Sequence, residues 1–308
     1  MKRRSGRFLL TGALAFATAA FLAQPAAGQS VADSRFLVLR NFTLIDGNGG
    51  APLSDAGLIA ENGRITWVGP AAQLKPPAEA RVQDLRGKYV MPGLINLHTH
   101  VAESDYLVQD PKKLFTRENV EKNLRIYAQY GVTSVVMGNC GVTFAPVRPG
   151  QERYLAEMME AVEDIPADTI MAGLGWGWES YGDYLRALDR RALGLNVGGM
   201  IGHCALRYYV MGERSIDEAP PTDGDVAAMA ALVGEAIDAG ALGFSTSRSF
   251  MHTVPDGRPV PGTFALPAEL GAIAQALASR GKGTIEVVPR IGERDGPDRQ
   301  NSVSELAW

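Results

Sequence analysis

The sequence predicts an α/β protein: a parallel sheet assembled from repeated strand–helix units, with a smaller all-β unit in front of it. Three observations carry this reading. Residues 36–91 hold short apolar runs separated by turn residues, without helical spacing. After Pro92 the rhythm becomes strand, then helix, several times over, the signature of parallel βα units. At the change-over stands Val90-Met91-Pro92-Gly93-Leu94-Ile95-Asn96-Leu97-His98-Thr99-His100, where a Pro-Gly turn launches an apolar strand that ends in two histidines.

Residues 1–28 read as a secretory signal peptide. Lys2, Arg3, Arg4 and Arg7 form a basic start, residues 8–23 are apolar apart from Thr and Gly, and Ala26-Ala27-Gly28 offers a cleavage site. The expectation is an exported protein, periplasmic or secreted, and Arg3-Arg4 permits a twin-arginine signal. The apolar run is short for a membrane span, so no stable span is expected. The formal net charge of the 308-residue chain is −4, and loss of the basic leader makes it more acidic, which argues against a nucleic-acid partner. Two cysteines, Cys140 and Cys204, are too few for a disulfide scaffold, although one bridge between them fits an exported chain.

Residues 29–91 make the β unit. Strands are expected at 36–39, 42–45, 58–60, 65–68, 82–85 and 88–91, and Asn62-Gly63 marks a hairpin turn. Residues 92–308 make the catalytic unit. Its strands start near 94, 133, 197, 241 and 284, and helical spacing runs through 118–130, 151–163, 181–188, 223–239 and 267–280. Gly131 and Gly240 stop two of those helices. Residues 169–174 read as a strand or as part of a long excursion. A last helix begins at Ser302 and runs to Trp308 without a stop signal, so a truncated piece of a longer chain is expected. Five βα units can close a doubly wound sheet; a (β/α)8 barrel needs eight.

Sites on parallel sheets lie at the carboxyl ends of strands. Reading those ends gives His98 and His100, then Cys140, then His203 and Cys204, then Ser245 to Arg248, then Glu286 to Arg290. His98 and His100 share a face, because strand residues two apart point the same way. With only four histidines in the chain, two in one H-x-H are unlikely to meet by chance. Imidazoles with a thiolate suit Zn²⁺, which keeps a position open for water. Cys140 has the alternative of a small buried hydrophobe, and His203 that of a core residue orienting a loop. His252 lies in a Pro/Gly-rich stretch, residues 251–262, a candidate lid. Trp176 and Trp178 line a pocket mouth or simply pack.

Several of these motifs are familiar. Met91-Pro92-Gly93-Leu94-Ile95-Asn96-Leu97-His98-Thr99-His100 resembles the first-strand motif of the amidohydrolase superfamily. Gly131-Val132-Thr133-Ser134-Val135-Val136-Met137-Gly138-Asn139-Cys140-Gly141, Gly202-His203-Cys204-Ala205-Leu206-Arg207 and Ala239-Gly240-Ala241-Leu242-Gly243-Phe244-Ser245-Thr246 are similar to the N-acyl-D-amino-acid deacylases, or D-aminoacylases. The resemblance implies a metal-dependent (β/α)8 TIM-type barrel, C-terminally truncated here, with the N-terminal half of a small β-sandwich. It implies zinc, as one or two divalent ions, at His98, His100 and Cys140, with Cys140 where many relatives use a carbamylated Lys. The implied activity is hydrolysis of a non-peptide C–N bond in a small N-acyl amino acid by a metal-activated water. The general-base Asp is expected beyond Trp308. His203, Ser245, Arg248, His252 and Arg290 become candidates to touch substrate or support the ligands.

The resemblance also exposes a departure. The family's strand near 284 ends in a His before an Arg, whereas this chain has Ile285-Glu286-Val287-Val288-Pro289-Arg290. Val288 takes the His position, and Glu286, two residues earlier on the same face, is the candidate substitute ligand. Other readings are a hydantoinase- or dipeptidase-like amidohydrolase, or a degenerate binding protein that kept the barrel and lost a ligand. With later strands absent, the 308-residue chain alone is expected to be unstable and inactive.

Overall fold

The computed structural model describes residues 35–99, 117–163, 165–191, 193–217 and 219–289. The leader, His100, Arg290 and the helix expected from Ser302 lie outside the described residues. Contacts divide the chain into two units, Met1–Pro92 and Gly93–Trp308.

In the first unit, alternating apolar residues build β1 (Phe36–Leu44), β2 (Leu53–Glu61), β3 (Arg64–Pro70), β4 (Arg81–Asp84) and β5 (Tyr89–Val90). The two strands expected at 36–39 and 42–45 are one. Asn41 takes a left-handed φ of 62° and the register with β2 shifts beside it, so β1 bends through a bulge instead of ending. Asn62 and Gly63, at φ 48° and 76°, form the hairpin turn between β2 and β3, where both residues must be left-handed. β4 and β5 both pair parallel with β1, giving a small five-stranded sheet in the order β3-β2-β1-β4 with β5 also on β1. Phe42, Ala56 and Leu58 are its buried centre.

The second unit holds β6 (Leu94–Asn96), β7 (Val132–Met137), β8 (Asn196–Gly202), β9 (Gly243–Ser247) and β10 (Thr284–Val288). They are all parallel, in the order β10-β9-β8-β7-β6. A doubly wound sheet reverses its order at a switch point; this one advances one way only, as a barrel does. His98, just after β6, and Glu286, in β10, are 2.7 Å apart, so the sheet curls until its two ends meet across the bowl. The unit is an open half-barrel.

Among the described residues, seven α-helices accompany these strands: α1 (Arg117–Gln129), α2 (Glu152–Glu163), α3 (Ala167–Gly173), α4 (Tyr181–Asp189), α5 (His203–Met211), α6 (Asp223–Ala239) and α7 (Pro267–Ala278). α6 carries a full set of end signals. Thr222 and Asp225 form a reciprocal capping box, and Gly240 closes the helix at φ 116°. Two elements differ from expectation. Residues 169–174 are not a strand but most of α3, whose Ala167 and Ile170 are buried against Ala156 of α2. Packing of that one face decides a segment too short to be helical alone. α5 was not anticipated. It starts straight from β8 at Gly202 with no side-chain cap and contains the weak helix formers Tyr208, Tyr209 and Val210. It is helical because nearly every residue is buried.

The core of this unit lies between β8–β9 and α4, α6 and α7, around Ile201, Leu206, Met229, Ile237, Phe244 and Ile273. β9 (Gly-Phe-Ser-Thr-Ser) is buried throughout. Alternation sends Phe244 and Thr246 toward the helices and Ser245 and Ser247 into the bowl. Among the described residues no helix is long and apolar enough to cross a membrane.

Candidate metal centre

β7 ends in Gly138-Asn139-Cys140-Gly141, a turn with both glycines left-handed at φ 79°. The second glycine is dictated by space as well. A Cβ on Gly141 would lie 2.8 Å from the Ser247 amide nitrogen, so the turn rests directly on β9. Ser245 pins the turn from both sides: its hydroxyl donates to the Gly138 carbonyl and accepts from Gly141 N–H at 3.2 Å. The Cys204 amide donates to the Gly141 carbonyl at 2.9 Å, and Thr143 Oγ1 accepts from Gly202 N–H at 3.3 Å. Cys140 therefore sits on a turn braced by β8 and β9. Both cysteines are free thiols, so the possible bridge is not made. Cys204 is fully buried, and burial pushes its thiol far up.

Against this turn lies His98. Its Nε2 is 3.8 Å from Cys140 Sγ and its Nδ1 is 2.7 Å from Glu286 Oε1. A carboxylate only accepts, so in the neutral ring Nδ1 carries the proton and Nε2 turns its lone pair to the thiol. Asn139 joins the group: its Nδ2 donates to the Leu97 carbonyl at 2.7 Å and to Glu286 Oε2 at 2.9 Å. Both partners are acceptors, which fixes the amide's orientation. Asn139 Oδ1 is buried without a hydrogen-bond partner among the described residues. Strand register puts Gly202, Ser245 and Glu286 in one row across β8, β9 and β10, on the inner face. Val288 is two residues further along that face, beside Ser247.

The donor set fits a divalent cation in part. Ligands at roughly 2.0–2.1 Å (imidazole) and 2.3 Å (thiolate) of a tetrahedral zinc stand about 3.5 Å apart. The 3.8 Å between His98 Nε2 and Cys140 Sγ is within a few tenths of that. Among the described residues no group of three or more His, Cys, Asp or Glu is arranged around one such point; His100 lies outside them. Beside the turn, Thr99, Asn139, Cys140, Met137, Leu124 and Tyr184 line part of a largely apolar cavity of about 280 Å³.

A second histidine site lies on the helix side of the sheet. His203, the first residue of α5, is fully buried. Its Nε2 is 2.8 Å from Glu269 Oε1 on α7, and its Nδ1 is 2.8 Å from Thr246 Oγ1. Arg207, one turn on, donates through Nη1 to both Glu269 oxygens, at 2.7 and 2.6 Å. Burial holds the imidazole below its ordinary value against the pull of Glu269. Burial raises the Glu269 carboxyl, but its bonds and charge pairing outweigh that and leave it low. The ion pair is thus Glu269 with Arg207, and His203 is a neutral Nε2–H donor that accepts from Thr246.

The other candidates are dispersed. Arg248 is buried and its Nη1 donates to the Ala265 carbonyl at 2.8 Å. His252 Nδ1 is 2.8 Å from Ser247 Oγ. The stretch 251–262 is not a loose lid: Val254 and Val260 are buried, and Thr253 bridges to Pro259. Trp176 and Trp178 pack with Phe144, with Trp178 Nε1 donating to the Phe144 carbonyl at 2.7 Å. Sequence reasoning missed Asn139, Glu269 and Arg207 as site-forming residues. Only the spacing of His203 and Arg207, four apart, could have signalled the last, and only once α5 was known to be a helix.

A model of the amidohydrolase family matches residues 81–307. The chain belongs to the amidohydrolase family. It is 33% identical over 209 residues to an N-acyl-D-aspartate deacylase of Alcaligenes xylosoxydans xylosoxydans, covering 68% of this chain and 36% of that one. An uncharacterised protein of Mycobacterium tuberculosis is 31% identical over 281 residues, covering 88% of this chain and 41% of the relative. Among solved structures, the N-acyl-D-glutamate deacylase of Bordetella bronchiseptica, complexed with zinc and a phosphonate inhibitor, superposes with a TM-score of 0.58 at 28% identity, covering 89% of this chain and 48% of that one. The chain spans less than half the length of these relatives.

Proposed function

We propose that this amidohydrolase is a metal-dependent hydrolase of non-peptide C–N bonds that deacylates N-acyl-D-amino acids. The observation that carries the reading is the approach of His98 Nε2 to Cys140 Sγ, 3.8 Å apart, at the carboxyl ends of adjacent parallel strands. His98, Cys140 and His100 would hold the cation, zinc by the chemistry of an imidazole–thiolate set. When bound, it supplies Lewis-acid activation of the amide carbonyl and of the attacking water. The chain's own residues hold the ligands in place and present an apolar cavity of about 280 Å³ beside Cys140, of a volume suited to a small acyl group. Similarity to deacylases named for N-acyl-D-aspartate and N-acyl-D-glutamate supports the D-amino-acid substrate class. The basic, apolar leader supports export to the periplasm or beyond.

The test is a hydrolysis panel of N-acyl-D- and N-acyl-L-amino acids with the metal content of the same sample measured. Preferential release of D-amino acids, lost on chelation, is the expected result. Bound metal without hydrolysis of any N-acyl amino acid would sink the substrate assignment. A second reading rests on Val288, which stands where the family places a histidine. A binding protein that kept the half-barrel architecture and lost a ligand would show ligand affinity without turnover.

A further inference from the structure

We infer that Glu286, although it lies where a metal ligand is expected, is a positioning residue that holds His98 for the cation, with Asn139 as the clamp that holds Glu286. The inference rests on the metal-centre reading above. A ligand must turn a lone pair to the metal. Glu286 instead has both oxygens engaged inward: Oε1 faces His98 Nδ1 at 2.7 Å and Oε2 accepts from Asn139 Nδ2 at 2.9 Å. Carboxylate and thiol lie on opposite nitrogens of one imidazole, so a single cation at His98 Nε2 and Cys140 Sγ stands away from Glu286. The arrangement is a carboxylate–histidine pair of the kind that fixes the tautomer and the orientation of a metal-binding ring.

Asn139 makes the arrangement coherent across three strand ends. It is almost fully buried, adjoins Cys140 in the chain, and its amide bonds to the carbonyl of Leu97, the residue before His98. One side chain therefore ties the β6 end, the β7 turn and Glu286 on β10 together. The histidine missing at position 288 is then not replaced by Glu286. Its face of β10 is used to orient an existing ligand, not to supply a new one.

The test uses the metal-free full chain titrated with Co²⁺, read by the near-ultraviolet thiolate-to-cobalt absorption and by the visible d–d bands. Wild type should show the thiolate band, and Cys140→Ser should lose it. Glu286→Gln, close in size and shape, should keep the thiolate band and the d–d pattern while binding Co²⁺ about 10–100-fold more weakly. Asn139→Ala should weaken binding in the same sense. Nitrogen NMR of the zinc-loaded chain should show His98 metallated at Nε2 and protonated at Nδ1. Unchanged Co²⁺ affinity in Glu286→Gln, with the thiolate band intact, overturns the positioning role alone. A change of d–d pattern that marks a lost ligand overturns it in favour of direct coordination. A wild-type chain without the thiolate band overturns the metal-centre reading itself.

Discussion

Two histidine–glutamate pairs in this half-barrel look alike on paper and do opposite things. In both His98–Glu286 and His203–Glu269 the histidine follows a parallel strand, and the contacts are 2.7 and 2.8 Å. The first is open to solvent, with side chains 46% and 25% exposed; the second is sealed, at 0% and 1%. In the sealed pair both ring nitrogens are spent, one on Glu269 and one on Thr246, and Arg207 neutralises the carboxylate. In the open pair one nitrogen holds the carboxylate and the other faces a thiol. A pair whose second nitrogen is committed is part of the core. A pair whose second nitrogen is presented to another ligand type is the beginning of a site.

The sharpest way to break the comparison is to remove each carboxylate. Glu269→Ala strands the buried Arg207 charge, and unfolding by urea should show a loss of about 3–5 kcal/mol. A loss near that of an exposed pair would show that water reaches Arg207. The same pair sets an acid limit. His203 is held below its ordinary value, so its stabilising effect is complete above the unfolded-state value of 6.5 and fades as pH falls through the lower folded value. Wild type should lose stability from about pH 6.5 downward, and His203→Gln should flatten that slope. An unchanged slope in the variant would assign the acid loss to other groups.

Ser245→Ala is a smaller lesion. It leaves the Gly138 carbonyl and the Gly141 N–H unpartnered under the Cys140 turn, at about 1–3 kcal/mol. Alkylation of Cys140 should speed up while the buried Cys204 stays protected; equal rates in variant and wild type would show that the turn does not need its brace. Smallest is Glu286→Gln, which should cost at most about 1 kcal/mol in urea, because an exposed pair contributes little to folding. A loss as large as that of Glu269→Ala would erase the distinction between the two pairs.

The comparison also shows how far sequence reading reaches. The turn around Cys140 and the place of Glu286 on the inner face of its strand were legible, because strand alternation and turn chemistry are local; β6 ends at Asn96, so His98 lies past the strand, and His100 is outside the described residues. α6 was legible to its ends, because Thr222, Asp225 and Gly240 carry its stop and start signals within the chain. α3 and α5 were not, because burial decides them, and the partners that bury them are distant in sequence.

By itself, then, the sequence determined the strand–helix rhythm, the family and the residue types offered at each strand end, since these depend on neighbours a few residues apart. Only the tertiary structure decided the one-way strand order and the curl that brings His98 to Glu286, 188 residues on. It also decided which histidine is sealed by Glu269 and Arg207 and which is left open. The reason is physical: which group each ring nitrogen faces depends on residues that meet only when the sheet closes, and no local pattern records those meetings.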